Sequence, residues 1–565
     1  MRLTSGSLLS FGLWDIFALL VIFSFIIGIG AIIPESASMV HAAGNAIDLS
    51  PNNLPYYAMR SACRMFFSLL LSIASTFIFG TWMAKSVRAE KILLPVVDIL
   101  QSIPVLGFLQ IAIWGLGSLA KNPVYAFEAA AILAIFTSQV WNMILVFYQK
   151  LKGIPHAWME MSAVYQLSTW HRFWRIEVPF ALPELISNTM MSLSAGWFFV
   201  VSSEAIATYG HITYLPGLGS YIHQAAVLQD TTSLYYAMLA LFLVILAYDQ
   251  LIFRPASYWI YKKEHAEYLE PPWVVKMFQR VHWLRYSVHS ISPLWENWIM
   301  LFPKKNSNVY VVKKTELIPQ ILYYCWIVVL VSLGLGTMGY AMLEIHVSEL
   351  MLMFKYGCYT AIRIFVMILL SAFVWVPIGV MIGSNPRLAR ISQPIIQFLA
   401  AFPAYIVYPF ASHFIQQNNL PPDIWLSPLL VMGTQWYILF NVIVAIQQLP
   451  KGMDDVFDLL SASSSIRWRK WLLPGLFPML VIGLNNAAGG AWNASIEAEM
   501  ITWGDKTIAA EGLGAYIKMT SDNGQLLNMT LATVVMCIFV TLINRFIWMP
   551  LIILAQRRFQ IREGV

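Results

Sequence analysis

Long apolar runs separated by short polar stretches dominate this chain from one end to the other. The runs predict membrane helices at roughly 13–34, 62–84, 92–117, 125–149, 183–205 and 234–253 in the first half. In the second half they predict 316–342, 357–384, 393–415, 426–448, 479–501 and 527–552. A helix of about 20 apolar residues spans the ~30 Å hydrocarbon core of a bilayer. Barrel strands would alternate over about 10 residues, so a transmembrane barrel is excluded. The fold class is therefore all-α polytopic membrane protein. The first run, preceded by Arg2, is too long for the apolar core of a secretory signal and reads as a membrane helix.

Two polar stretches stand out because they match each other. Residues 154–183 read IPHAWMEMSAVYQLSTWHRFWRIEVPFALP, and residues 449–478 read LPKGMDDVFDLLSASSSIRWRKWLLPGLFP. In each, an acidic residue follows a proline by five positions (Glu160 after Pro155, Asp455 after Pro450). The next proline comes 19 residues later (Pro179, Pro474), and a further one follows four after that (Pro183, Pro478). The same offset of 295 carries through Trp197/Trp492, Glu204/Glu499, Gly217/Gly512, Gly219/Gly514 and Tyr221/Tyr516. Earlier in each half, Arg64, Gly80, Pro95 and Pro104 superpose on Arg363, Gly379, Pro394 and Pro403 at 299. The chain is a duplication of two parallel repeats, which places a pathway at their interface. Its parts are 1–253, a basic and aromatic linker at 254–315, and 316–565.

Charge sets the orientation. Most of the 35 Lys and Arg fall in segments on one side of the predicted helices. Arg60, Arg64, Lys121, Lys355, Arg363, Lys506 and Lys518 fall on the other. Basic residues mark the cytoplasmic side, so both termini and both polar stretches are expected there. The net charge of +6 reflects this loop bias and no nucleic-acid footprint. The four cysteines are scattered without a C-x-x-C pair and read as helix-packing residues.

The two polar stretches resemble the cytoplasmic "EAA" loop of bacterial ABC-importer membrane subunits. The first copy matches at Glu160, Ala163, Gln166, Phe173 and Pro179; the second matches at Asp455, Ser461, Trp468 and Pro474. The family glycine is replaced by Gln166 and Ser461, which puts the turn geometry in question. The resemblance implies two MetI-like bundles of six helices and a coupling helix in each loop. It also implies two cytoplasmic ATPase subunits that bind ATP and Mg, and a periplasmic or lipid-anchored substrate-binding protein. The location implied is the bacterial inner membrane. The segments Trp197–Glu204 and Trp492–Glu499, each followed by Gly-Leu-Gly, resemble the branch handling nitrate, sulfonates such as taurine, and bicarbonate.

No G-x-x-x-x-G-K-[ST] loop and no H-E-x-x-H motif occurs, so the chain reads as a non-catalytic subunit that binds no cofactor or metal of its own. Carboxylates inside a membrane face a bundle interior or an aqueous path. Pathway candidates are Asp98, Gln101, Trp197, Ser202, Ser203, Glu204, Gln397, Trp492, Asn493, Glu497 and Glu499. For Glu204 and Glu499 a structural reading competes, in which each caps a helix end or pairs with Arg64 or Arg363. Glu497 has no acidic counterpart, since Ser202 stands there. Pro95, Pro104, Pro394 and Pro403 are expected to kink the third helix of each half. The alternative class is an ion-coupled secondary transporter of two parallel repeats, using Asp98, Glu204 and Glu499.

Overall fold

In the computed structural model, two helical bundles of like topology face each other across one interface. It describes residues 47–261 except parts of 103–122 and 209–210, residues 273–280, and residues 346–559 except 451–455, 458, 462 and 505. The predicted helices 13–34 and 316–342, most of the linker, and Asp455 lie outside these.

The first half contains α1 (Pro51–Lys85), α2 (Val87–Ser102), α3 (Pro123–Lys152), the short α4 (His156–Val164) and the long α5 (Thr169–Glu204). A hairpin follows, β1 (Ala205–Thr208) and β2 (His211–Tyr214), then α6 (Leu218–Val227) and α7 (Thr231–Ile260). After α8 (Trp273–Arg280) the second half repeats the order. It has α9 (Val347–Ser384), α10 (Pro386–Ala401), α11 (Tyr408–Gln417), α12 (Pro422–Met432) and α13 (Gln435–Gln448). Then come α14 (Ser464–Ala498), β3 (Met500–Trp503), β4 (Lys506–Ala509), α15 (Leu513–Asp522) and α16 (Leu526–Ala555).

Three expectations change. Among the described residues seven helices are long and apolar enough to span, and α12 with α13 forms an eighth only as a pair bent by 44°. The bend falls at Gly433 and Thr434, whereas its counterpart α3 runs unbroken. The predicted third helices, 92–117 and 393–415, are broken rather than kinked. The residue before a proline is driven out of the helical region; Phe402 accordingly turns extended before Pro403, and Pro104 falls just outside α2. Pro394 sits inside α10 without breaking it. Finally, two antiparallel hairpins interrupt the helical pattern, with Ala205 opposite Tyr214 and Met500 opposite Ala509. Gly504, at φ +63°, opens the turn of the second, where a two-residue hairpin turn requires a left-handed residue.

Lipid is as apolar as leucine, so bundles in a membrane rely on close packing and interhelical hydrogen bonds. Small residues on α14 let it approach α13 closely. A Cβ added to Gly483 would lie 3.0 Å from the Tyr437 carbonyl oxygen. Tyr248 on α7 donates to the Ala62 carbonyl at 2.6 Å, and Ser68 on α1 to the Ile132 carbonyl at 3.0 Å. Trp197 and Trp492 are buried at matching positions, edge-on to Tyr248 and tilted against Phe539. Across the interface the third helices exchange partners. The second half's α10 packs on α5 and α7, and α2 packs on α16.

Candidate functional site

Residues at the breaks of the two third helices line two chambers at the interface of the halves. The larger, about 630 Å³, lies between α3, α5, α13, α14 and α16. It reaches toward the end of the bundles that carries α4, past Gln149, Asn188 and Trp548. Its polar lining consists of amides and hydroxyls, including Gln101, Asn142, Asn441, Asn485, Asn493 and Thr434. No lining side chain among the described residues is charged. The smaller chamber, about 340 Å³, lies at the hairpin end and is lined by Ser202, His223, Tyr405, Glu497, Lys518 and Asp522 among others. Tyr408 borders both chambers, with Val105 and Leu106 on either side of the same floor.

Breaking α2 frees backbone donors that need partners in a region without bulk water. The Val105 N–H donates to Asn493 Oδ1 on the opposite half at 2.8 Å. The repeat offset puts Phe198 at the corresponding place in the first half, so this link across the interface occurs once. Gln101 donates to Asn142 at 2.9 Å on the chamber wall.

The pathway candidates therefore separate. Gln101, Trp492 and Asn493 line the larger chamber, and Ser202 and Glu497 the smaller. Asp98 lies on α2 and Gln397 on α10. Trp197, Ser203, Glu204 and Glu499 are buried and line neither. The two glutamates do the same local job in each half. Glu204 Oε1 accepts from Ser61 Oγ and Arg64 Nη1, both at 2.6 Å, and Oε2 accepts from the Gly219 N–H at 2.6 Å. Glu499 accepts from Thr360 Oγ1 at 2.8 Å, Arg363 Nη1 at 3.2 Å and the N–H groups of Gly514 and Ala515 at 2.9 and 3.3 Å. Ser61 and Thr360 accept the preceding N–H groups, Leu218 and Leu513, at 2.9 Å. The first-turn donors of α6 and α15, which a helix cannot satisfy itself, are thus capped, and the carboxylate lies at the positive end of each helix dipole.

That arrangement explains the Gly-Leu-Gly segments. A side chain at Gly219 would collide with the Val201 carbonyl, and one at Gly217 with the Glu204 carboxylate; Gly514 and Gly512 meet Ser495 and Glu499 in the same way. The arginines are braced in turn. Arg64 makes a two-pronged pair with Glu128 at 2.7 Å, and Arg363 pairs with Asp423 at 2.6 Å. Glu128 and Asp423 superpose at the repeat offset. Sequence reasoning missed them, although that coincidence was the available signal.

The two polar stretches keep their geometry without the family glycine. After α4 the Leu167 N–H reaches back to the Ser162 carbonyl at 3.0 Å and the Gln166 N–H to Ala163. This is a Schellman ending, with Gln166 left-handed at φ +49°. Ser461, at the matching position of the second copy, is left-handed as well, at φ +46°. Glu160 and Ala163 are exposed, as are Trp158, Met161, Val164 and Tyr165 beside them. In the second copy Val456, Leu459 and Leu460 are exposed. Pro179 and Pro474 lie in the first turn after the π-turns that lead into the spans.

Phe173 and Trp468 face their own bundles rather than outward. Phe173 stacks edge-on against Phe77 at 5.9 Å and lies under Lys85, and Trp468 joins an apolar cluster with Trp471 and Leu472. The π-turns that begin at these residues rotate the rings inward. The first stretch is further tied down by buried Glu177, which pairs with Lys85 at 2.7 Å and Arg172 at 2.9 Å. Leu472 occupies the place of Glu177 in the second copy, so the two anchors differ in kind.

Two related bundles closing on shared chambers define a polytopic membrane protein made by duplication. The family model described as "Binding-protein-dependent transport system inner membrane component" matches residues 76–252 and 375–548, more than half of the chain. The chain belongs to that family and carries two of its units. It is similar to the bicarbonate transport system permease protein CmpB of Synechococcus elongatus, 27% identical over 178 residues, 32% of this chain and 61% of the relative. The nitrate import permease protein NrtB of Leptolyngbya laminosa is 26% identical over 185 residues, 33% of this chain and 63% of the relative. The glycine betaine/carnitine transport permease protein GbuB of Listeria monocytogenes is 24% identical over 187 residues, 33% and 60% respectively. The chain thus spans about three fifths of the length of these relatives.

Proposed function

We propose that the chain is the membrane permease of an ATP-driven importer, with both permease units in one polypeptide, and that it moves a small polar solute by alternating access. The observation that carries this reading is the short helix α4 together with the left-handed turn that recurs at Ser461 in the second copy. Each copy contains a left-handed residue and leaves apolar side chains uncovered at the same end of the bundles. A rigid helix seated in a partner's groove converts partner rotation into movement of the attached spans. Two cytoplasmic ATPase subunits supply ATP and Mg chemistry, and a binding protein delivers solute at the hairpin end. Both termini are cytoplasmic in this reading, so the larger chamber reaches inward and the Val105–Asn493 floor closes the path outward. The relatives named above make a small oxyanion such as bicarbonate or nitrate one substrate class to test, a sulfonate such as taurine another, and a betaine a third.

The test is reconstitution. Chain, ATPase and binding protein in liposomes should give uptake that requires ATP. Glu160→Lys with Asp455→Lys should reduce ATPase co-purification by roughly tenfold or more, as losing interface anchors does, while the chain stays folded. Uptake by the chain alone on a proton or sodium gradient would instead establish the secondary-transporter class.

A further inference from the structure

The structural carboxylates were kept by both repeats, but the charges of the smaller chamber were not. Glu497, Lys518 and Asp522 all come from the second half, and at the repeat offset the first half has Ser202, His223 and Val227. These charges are therefore absent from the duplicated scaffold and belong to one wall of one chamber. Lys518 donates to Glu497 Oε2, which neutralises that pair. Asp522 sits beside them half-buried, with no cation within ion-pair distance among the described residues. Its carboxyl is pushed up to about 6, mainly by burial and partly by Glu497, with Lys518 acting the other way. It is therefore still largely ionised at pH 7. Burial, with Lys518 nearby, lowers His223 to about 4, so the imidazole is neutral at that pH. The chamber carries one net negative charge.

A second, independent feature borders the same space. The Tyr408 hydroxyl is buried and has no hydrogen-bond partner among the described residues, and Tyr408 borders this chamber where it meets the larger one. Its ring lies 5.4 Å from that of Tyr405, tilted by 47°. Unpaired carboxylate, unpaired hydroxyl and adjacent tyrosine faces suit a cationic nitrogen, which gains from aromatic faces as well as from the charge. A bare oxyanion would meet net repulsion from Asp522 and find Lys518 already engaged.

From this we infer that the hairpin-end chamber is a selectivity site for a small solute bearing a cationic nitrogen, a betaine or other zwitterion included, and that it discriminates against simple oxyanions. The inference rests on the reading of the interface as a transport path and narrows its substrate class.

The test uses the full chain in nanodiscs, with its native cysteines replaced by serine and a reporter Thr507→Cys, which lines the chamber. An Asn418→Cys variant, exposed on α11's end, provides the reference thiol. Thiosulfonate reagents bearing a trimethylammonium or a sulfonate group are compared. The cationic reagent should be favoured at Thr507→Cys by about tenfold over its preference at the reference, in line with one unit charge acting at short range in a partly buried site. Asp522→Asn should remove most of that bias. Choline or glycine betaine at millimolar concentration should slow labelling at least threefold, and nitrate or bicarbonate should not. Protection by nitrate alone, or equal rates for the two reagents, would overturn the inference and leave the transport reading standing. A reporter thiol that reacts from neither face would sink the path itself, and the inference with it.

Discussion

Glu204→Gln separates a carboxylate that holds the bundle together from one that lines a path. Glu204 accepts three short hydrogen bonds through two oxygens, one from an arginine. Glutamine offers one acceptor oxygen, and its amide must point a donor at either Gly219 N–H or the Arg64–Ser61 pair. One buried donor is left unmade, at about 1–3 kcal/mol, and a charge-assisted bond to Arg64 is weakened as well. Removing one partner of a buried pair costs about 3–5 kcal/mol. Arg64 keeps Glu128, so about 3 kcal/mol is the expected loss. Glu499→Gln should cost less. Its contacts run from 2.8 to 3.3 Å, and Arg363 is more accessible and keeps Asp423. A membrane protein of this size does not give a clean two-state free energy, so the assay is the half-life of monodisperse protein in detergent at fixed temperature. If the network is lost before the unfolding barrier, 3 kcal/mol shortens that half-life by about 100-fold. Glu499→Gln should shorten it measurably less. Unchanged half-lives combined with lost transport would refute the capping argument and return both residues to the path.

Other expectations follow from the same geometry. Gln166→Gly removes a left-handed non-glycine residue and should raise stability by about 1 kcal/mol, whereas Gln166→Val should lower it. Equal melting of the two variants would show that the turn is not held left-handed. Asn493→Leu strips the Val105 N–H of its acceptor at a cost of about 1–3 kcal/mol, while Asn493→Asp keeps one. The leucine variant should therefore label faster than the aspartate variant at a thiol in the larger chamber when reagent comes from the hairpin side, and equal rates would remove the floor from the gating path. The charge bias of the smaller chamber should fade as pH drops through about 6. Asp522, raised by burial, gains its proton there, while His223, lowered mainly by burial, stays neutral until about pH 4. Asp522→Asn should be flat over that range, and a bias that persists unchanged in the parent at pH 5 would assign it to another group.

The sequence by itself determined what depends on local composition and on spacing. Apolar runs of membrane length set the class, because backbone groups in lipid must be satisfied within a helix. The repeat made positions 295 apart equivalent. It correctly paired Glu204 with Glu499 and tied each to an arginine, because duplicated scaffolds keep their buried networks. The prolines at 104 and 403 marked the third helices, but only the fold showed a full break, since whether a proline bends or ends a helix depends on what satisfies the freed donors. At Val105 that partner is Asn493, 388 residues away in the chain and on the opposite half. The Gln166 and Ser461 turns show the converse. Their composition argued against a left-handed residue, yet both positions adopt one, and at Gln166 the Schellman hydrogen bonds of the loop impose it. Tertiary structure alone also sorted the polar candidates. Glu497 and Glu499 lie two positions apart on one strand of sequence, yet the helical path turns Glu499 onto the first turn of α15 and Glu497 into the chamber between the halves. Side-chain direction at a helix end is fixed by packing partners that no local pattern specifies.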